Sequence, residues 1–166
     1  MSRVNRTQSA GVAPPGSLFG LKRWALVGSI TLLVVVLDQL SKSWAQSHLA
    51  SHSISLFGPL KLKLEYNTGF AFSLGRGHPY IIALFVLFAL AVLAYATFKV
   101  AKTTMLVGIA LLAGGALGNF VDRIFRNNGG GVIDFIYLRF WPTFNIADAA
   151  VVLGVAVIAF GLRHKP

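Results

Sequence analysis

Four stretches of this chain run for 19–21 residues with almost no charge: Trp24–Trp44, Pro79–Phe98, Thr103–Val121 and Phe144–Leu162. A helix of that length, at about 1.5 Å per residue, crosses the roughly 30 Å hydrocarbon layer of a bilayer. In lipid the backbone must satisfy its own hydrogen bonds, so each stretch predicts a transmembrane helix. Basic residues precede the first, as in a cleavable signal peptide, but its length and the three spans behind it favour a retained helix. The composition agrees: 55% of residues are hydrophobic and 12% charged, with a mean hydropathy of +0.70. That is too apolar for an ordinary soluble domain.

The formal net charge is +10. A nucleic-acid partner is excluded because the basic residues flank apolar segments and form no single basic face. Cysteine is absent, which removes disulfides, thiolate nucleophiles and Cys-ligated metals. His48 and His52 have one-turn spacing but no third ligand, so neither a metal nor another cofactor is expected. Residues 1–22 are polar, basic and Gly/Pro/Ser-bearing, and read as a disordered tail ahead of one membrane domain over residues 23–166.

Four spans put both termini on one side. That side carries Arg3, Arg6, Lys22, Arg23, Lys99, Lys102, Arg163 and Lys165 and no acid. Lys22–Arg23 and the short Lys99–Lys102 connection lie close to span ends, where positive charge marks the cytoplasmic side. All five acids, Asp38, Glu65, Asp122, Asp134 and Asp148, then gather at the outer face. Residues 53–76 form an outer β-rich segment. Its "LKLKLEY" (60–66) alternates strictly, "NTG" (67–69) is a turn signal, and "FAFSL" (70–74) resumes the alternation. The expected fold is an all-α integral membrane protein of four transmembrane helices, with a small amphipathic β-sheet on the outer (periplasmic) face. Leu62, Leu64 and Tyr66 would face lipid or protein. The second outer connection, about 123–143, joins a flexible "RNNGGG" to the apolar "VIDFIYLRF", and Trp141-Pro142 reads as an interfacial anchor and helix start. The glycines at 114, 115 and 118 permit close helix approach, with packing inside the bundle as the default reading.

Several polar residues need partners. Asp38 and Lys42, four apart, suit an ion pair at a helix end. Asn119 and Arg123 share a helix face, as do Asn145 and Asp148. Structural roles are open to each: Asn145 as a helix cap, Asn67 as a turn residue, Arg123 and Arg126 as side chains reaching headgroups. Asp148 lies at the rim of the hydrocarbon, where a carboxylate costs a few kcal/mol unless compensated. Its natural partner is Asp134, flanked by Ile133 and Phe135. Two carboxylates in one apolar site do not ionise together, so one keeps a proton while the other acts as base. Such a pair activates water against a peptide carbonyl. No G-x-S-x-G or H-E-x-x-H motif offers another hydrolytic apparatus.

"DQLSK" (38–42), "NTGFAFSL" (67–74), "GGALGNFVDR" (114–123), "VIDFI" (132–136) and "FNIADAAVVLG" (144–154) together resemble the successive signature blocks of the lipoprotein signal peptidases, signal peptidase II. The blocks come in family order and reach from the first span to the last. The resemblance implies a four-span aspartyl endopeptidase of the bacterial inner membrane, with cytoplasmic termini and an active site at the outer face. It implies removal of the signal peptide from diacylglyceryl-modified prolipoproteins, by a cut before the lipidated cysteine. Asp134 and Asp148 match the catalytic pair. Asn67, Asn119, Arg123 and Asn145 match the polar residues around it, and Asp38 and Lys42 the block closing the first span. The expected partners are the lipid-modified substrate and membrane lipid, for a monomer. The stretch from Arg123 to Asp134 is a few residues longer than the family pattern, through "NNGGG".

A small ion or proton-coupled transporter is the rival from another class, but a relay needs polar groups along the whole depth, and the second span has no charge. A structural subunit with polar glue between helices explains Asn119 and leaves Asp134 unexplained.

Overall fold

The computed structural model describes residues 18–68 and 79–163. Its elements are α1 (Leu18–His48), β1 (Ile54–Phe57), β2 (Leu60–Asn67), α2 (Pro79–Lys99), α3 (Thr103–Phe125), β3 (Val132–Leu138), β4 (Trp141–Phe144) and α4 (Ile146–Arg163). All four helices are long and apolar enough to cross a membrane. The first takes in residues 18–22, which their composition assigns to the tail, and continues past Trp44 to His48.

The bundle is organised around α3, which packs against α1, α2 and α4. Its small residues make this possible. A Cβ on Gly114 would meet Val34 of α1 at 2.7 Å, and one on Gly115 would collide with the Ala147 carbonyl of α4. One on Gly118 would meet the Asp38 carboxylate at 2.7 Å. The small-residue patch therefore serves packing within the bundle. The other helices turn large apolar side chains outward, among them Leu33 and Leu40 on α1, Leu84 and Phe88 on α2, and Val152 and Leu153 on α4. Such a surface suits hydrocarbon rather than water.

One end of the bundle carries an antiparallel sheet in the order β1-β2-β3-β4. It is larger than the alternation of residues 60–66 alone predicts, because the second connection supplies half of it. Glu65 pairs with Asp134, Tyr66 with Ile133 and Asn67 with Val132. Leu62 and Leu64 pack on a cluster of Ala45, Leu49, Ile133 and Phe135, so they face protein. Tyr66 is half-exposed and its hydroxyl accepts from Gln46 Nε2 at 3.3 Å. Gly69 and "FAFSL" lie outside the described residues.

Trp141-Pro142 does not start a helix. Trp141 pairs with Leu138 and Phe144 with Ile136, which makes residues 141–144 a strand. Pro142 is tolerated because β4 is an edge strand. The helix begins only at Ile146. The "NNGGG" segment forms a turn in which Gly129 (φ 68°) and Gly130 (φ 75°) adopt the left-handed backbone that favours glycine.

Candidate active site

Strand β3 alternates between two environments. Ile133 and Phe135 enter the apolar cluster under the sheet, while Val132 and Asp134 line a cavity on the other face. Asp134 is 2% exposed. Asn145 Nδ2 donates to its Oδ1 at 2.7 Å, and Asn67 Nδ2 to its Oδ2 at 3.2 Å. Asn67 reaches it diagonally, since its own cross-strand partner is Val132, two residues away on the same face. Burial first, and then the Asp148 charge, push the Asp134 carboxyl up to about 7, against the lowering pull of the Asn67 and Asn145 donors.

Asp148 stands in the first turn of α4, where the helix dipole favours a carboxylate. Asn145 caps that helix. Its Oδ1 accepts from the Asp148 N–H at 2.9 Å, while Asp148 Oδ2 accepts from the Asn145 N–H at 3.2 Å, a reciprocal box of the Ser-x-x-Glu kind. The amide group of the same Asn145 turns to Asp134. Asn145 thus caps the helix and at the same time holds the Asp134 carboxylate. Asn119 Nδ2 donates to Asp148 Oδ1 at 2.8 Å, and Asn119 Oδ1 accepts from Asn145 Nδ2 at 3.1 Å. Two asparagines therefore link the two aspartates. Arg123 lines the cavity beside both carboxylates and interacts electrostatically with each, its Nη1 donating to the Asn119 carbonyl at 3.4 Å.

The cavity measures about 820 Å³. Its polar end holds Asn67, Asn119, Arg123, Asp134 and Asp148. Phe88, Ala89 and Val92 of α2, with Val151 and Val152 of α4, form an apolar wall, and Trp141–Phe144 border it from β4. An apolar peptide segment presented with one carbonyl at the polar end fits this division.

Asp38 and Lys42 form the expected ion pair, at 2.8 Å, but it is wholly buried and does not line the cavity. Lys42 Nζ also lies 2.9 Å from Asp122 and donates to Asn119 Oδ1 at 2.9 Å. The sequence marks no role for Asp122 or Gln39, and Arg126 is expected to reach toward headgroups. Arg126 instead lies 3.3 Å from Asp122 and donates to Gln39 Oε1, Ser43 Oγ and Gln46 Oε1. Gln39 Nε2 donates to Asp122 Oδ1 at 2.9 Å. The legible signal is Gln39, Ser43 and Gln46, a polar stripe at helical spacing along the end of the first span. Two carboxylates and two cations cancel in this layer. Among the described residues, no His/Cys/Asp/Glu group has the arrangement of a metal site.

Residues 30–163 match the family model described as Signal peptidase (SPase) II. The chain is 45% identical to the lipoprotein signal peptidase of Syntrophomonas wolfei over 144 residues, 81% of this chain and 93% of that one. It is 36% identical to the lipoprotein signal peptidase of Pseudomonas aeruginosa over 162 residues, covering 90% and 92%. Two solved structures of a bacterial membrane enzyme, obtained in meso at 2.3 and 1.9 Å resolution, superpose with TM-scores of 0.72 and 0.74 at 31% and 30% identity. The first pairing covers 82% of this chain and 86% of the other, the second 84% and 94%. With the fold and these relatives in agreement, the chain belongs to the signal peptidase II family of membrane aspartic peptidases.

Proposed function

We propose that Asp134 and Asp148 are the catalytic pair with which this signal peptidase II removes signal peptides from prolipoproteins, cutting before the diacylglyceryl-modified cysteine. The observation that carries the reading is that β3 and α4 deliver two carboxylates to one end of one cavity, joined through Asn145 and Asn119. With Asp134 pushed up to about 7, the pair holds one proton near neutrality. Asp148, fed by the Asn119 amide and the Asn145 N–H, is the carboxylate that takes a proton from water. The water oxygen attacks the scissile carbonyl carbon while Asp134 gives its proton to the carbonyl oxygen. Collapse breaks the C–N bond. The Asp148 proton passes to the leaving amine, and a diol hydroxyl returns one to Asp134, so the pair ends as it began. Arg123 and Asn67 hold the substrate backbone and the developing oxyanion.

The apolar wall takes the signal-peptide segment, and exclusion of water there strengthens every charge at the polar end. The peptidase is one unit from α1 to α4 and works as a monomer in the bacterial inner membrane. Its termini are cytoplasmic, by the Lys22–Arg23 and Lys99–Lys102 charges, and the sheet and site lie at the outer face beside the lipid anchor of the substrate. Purified protein in detergent, given diacylglyceryl-modified prolipoprotein, yields products whose masses place the cut immediately before the lipidated cysteine. Intact substrate after incubation with folded enzyme would contradict the proposal.

A further inference from the structure

The residues one position before the two aspartates share an unusual feature. Ile133 lies on β3 where β4 does not reach, since β4 pairs only with Ile136 and Leu138. Ala147 lies in the first turn of α4, where N–H groups lack intrahelical acceptors. Both N–H groups are taken up by buried carboxylates from other helices. Ile133 N–H donates to Asp122 Oδ2 of α3 at 3.0 Å, and Ala147 N–H to Asp38 Oδ1 of α1 at 2.9 Å. Lys42 Nζ joins the holders, 2.8 Å from Asp38 Oδ2 and 2.9 Å from Asp122 Oδ2. An unbroken polar path runs from the backbone before one aspartate to the backbone before the other. Lys42, a donor only, also fixes the Asn119 amide: its oxygen must face Lys42, so its NH2 faces Asp148.

An ion triplet this deeply buried adds little net stability, because desolvation offsets the attraction. Its contribution is geometric. We propose that Asp38, Lys42 and Asp122 are positioning residues, one buried ion triplet that sets the separation of Asp134 and Asp148 by holding the backbone immediately before each. The inference rests on the catalytic assignment of that pair.

Asp38→Glu and Asp122→Glu keep the charge and move the carboxylate by one methylene. Each is expected to lower kcat about 10- to 100-fold, as misplacement of catalytic groups by about 1 Å does, with KM near the parent's. The width of the pH–rate profile should change too, because it reports the repulsion between the paired carboxylates beside Arg123 and Lys42. A folded variant with the parent's kcat and profile overturns the proposal, as does an effect confined to KM. Should neither variant fold, NMR of the parent decides: the Ile133 and Ala147 amide protons should be shifted downfield and slow to exchange, and ordinary, fast-exchanging signals overturn it. Asp134→Asn separates the two levels. An active Asp134→Asn enzyme removes the catalytic assignment, whereas an inactive one beside a parent-like Asp122→Glu removes the positioning role alone.

Discussion

Asn145 shows how one residue can cap a helix and hold a neighbouring carboxylate. Its oxygen caps α4 and its amide group holds Asp134 at 2.7 Å. The two roles separate by substitution. Asn145→Ser keeps a capping oxygen and should melt within a few degrees of the parent, yet cleave about 10- to 100-fold more slowly for want of the donor. Equal loss of stability and activity would argue that the cap alone matters. Asp134 makes a second prediction. Its carboxyl is raised from 3.8 to about 7 in the folded protein, so between those values the native state holds a proton that the unfolded chain releases. Stability therefore falls as pH rises through that window and levels off above it. Melting temperature in detergent should show this slope in the parent and lose it in Asp134→Asn, while the same slope in both would refute the shift. The aspartates were legible in the sequence because a lone acid among Ile133 and Phe135, or at the rim of a span, demands a partner. Asp122 gave less sign. It sits beside Arg123 at a helix end, where a charge needs no special explanation.

Among the elements, the spans were legible from length and hydropathy, and β2 from its alternation. Strands β3 and β4 were not, since "VIDF" is buried on both faces and gives no two-residue polar rhythm. Pro142 pointed the wrong way because proline opens edge strands as readily as helices. The close approach of α3 and α4 makes a clean test of packing. Gly115→Ala places a methyl against the Ala147 backbone next to Asp148, and overpacking of this kind costs about 1–3 kcal/mol. Gly28→Ala meets nothing within 4 Å and stands inside α1, so helix propensity should leave it neutral or about 1 kcal/mol more stable. Paired melting curves check both signs. Equal effects would mean that α3 and α4 are not so close.

For the whole molecule, a four-span bundle separates a basic end, where α1 starts and α4 finishes, from a sheet-bearing end that holds the acids. Because the chain has no cysteine, single cysteines report topology cleanly. Ser55→Cys on β1 should react with an impermeant maleimide added outside spheroplasts, and Lys165→Cys only after lysis; the reverse pattern would invert the orientation. Two aspartates, delivered by a strand and a helix, are proposed to cut the substrate together. The most direct test is single-turnover cleavage of diacylglyceryl-modified prolipoprotein by the parent, Asp134→Asn and Asp148→Asn, each shown to be folded. The account predicts that either variant loses at least about 10³-fold in rate, since removal of one member of a catalytic unit disables the whole. Cleavage within tenfold of the parent by either variant would contradict it.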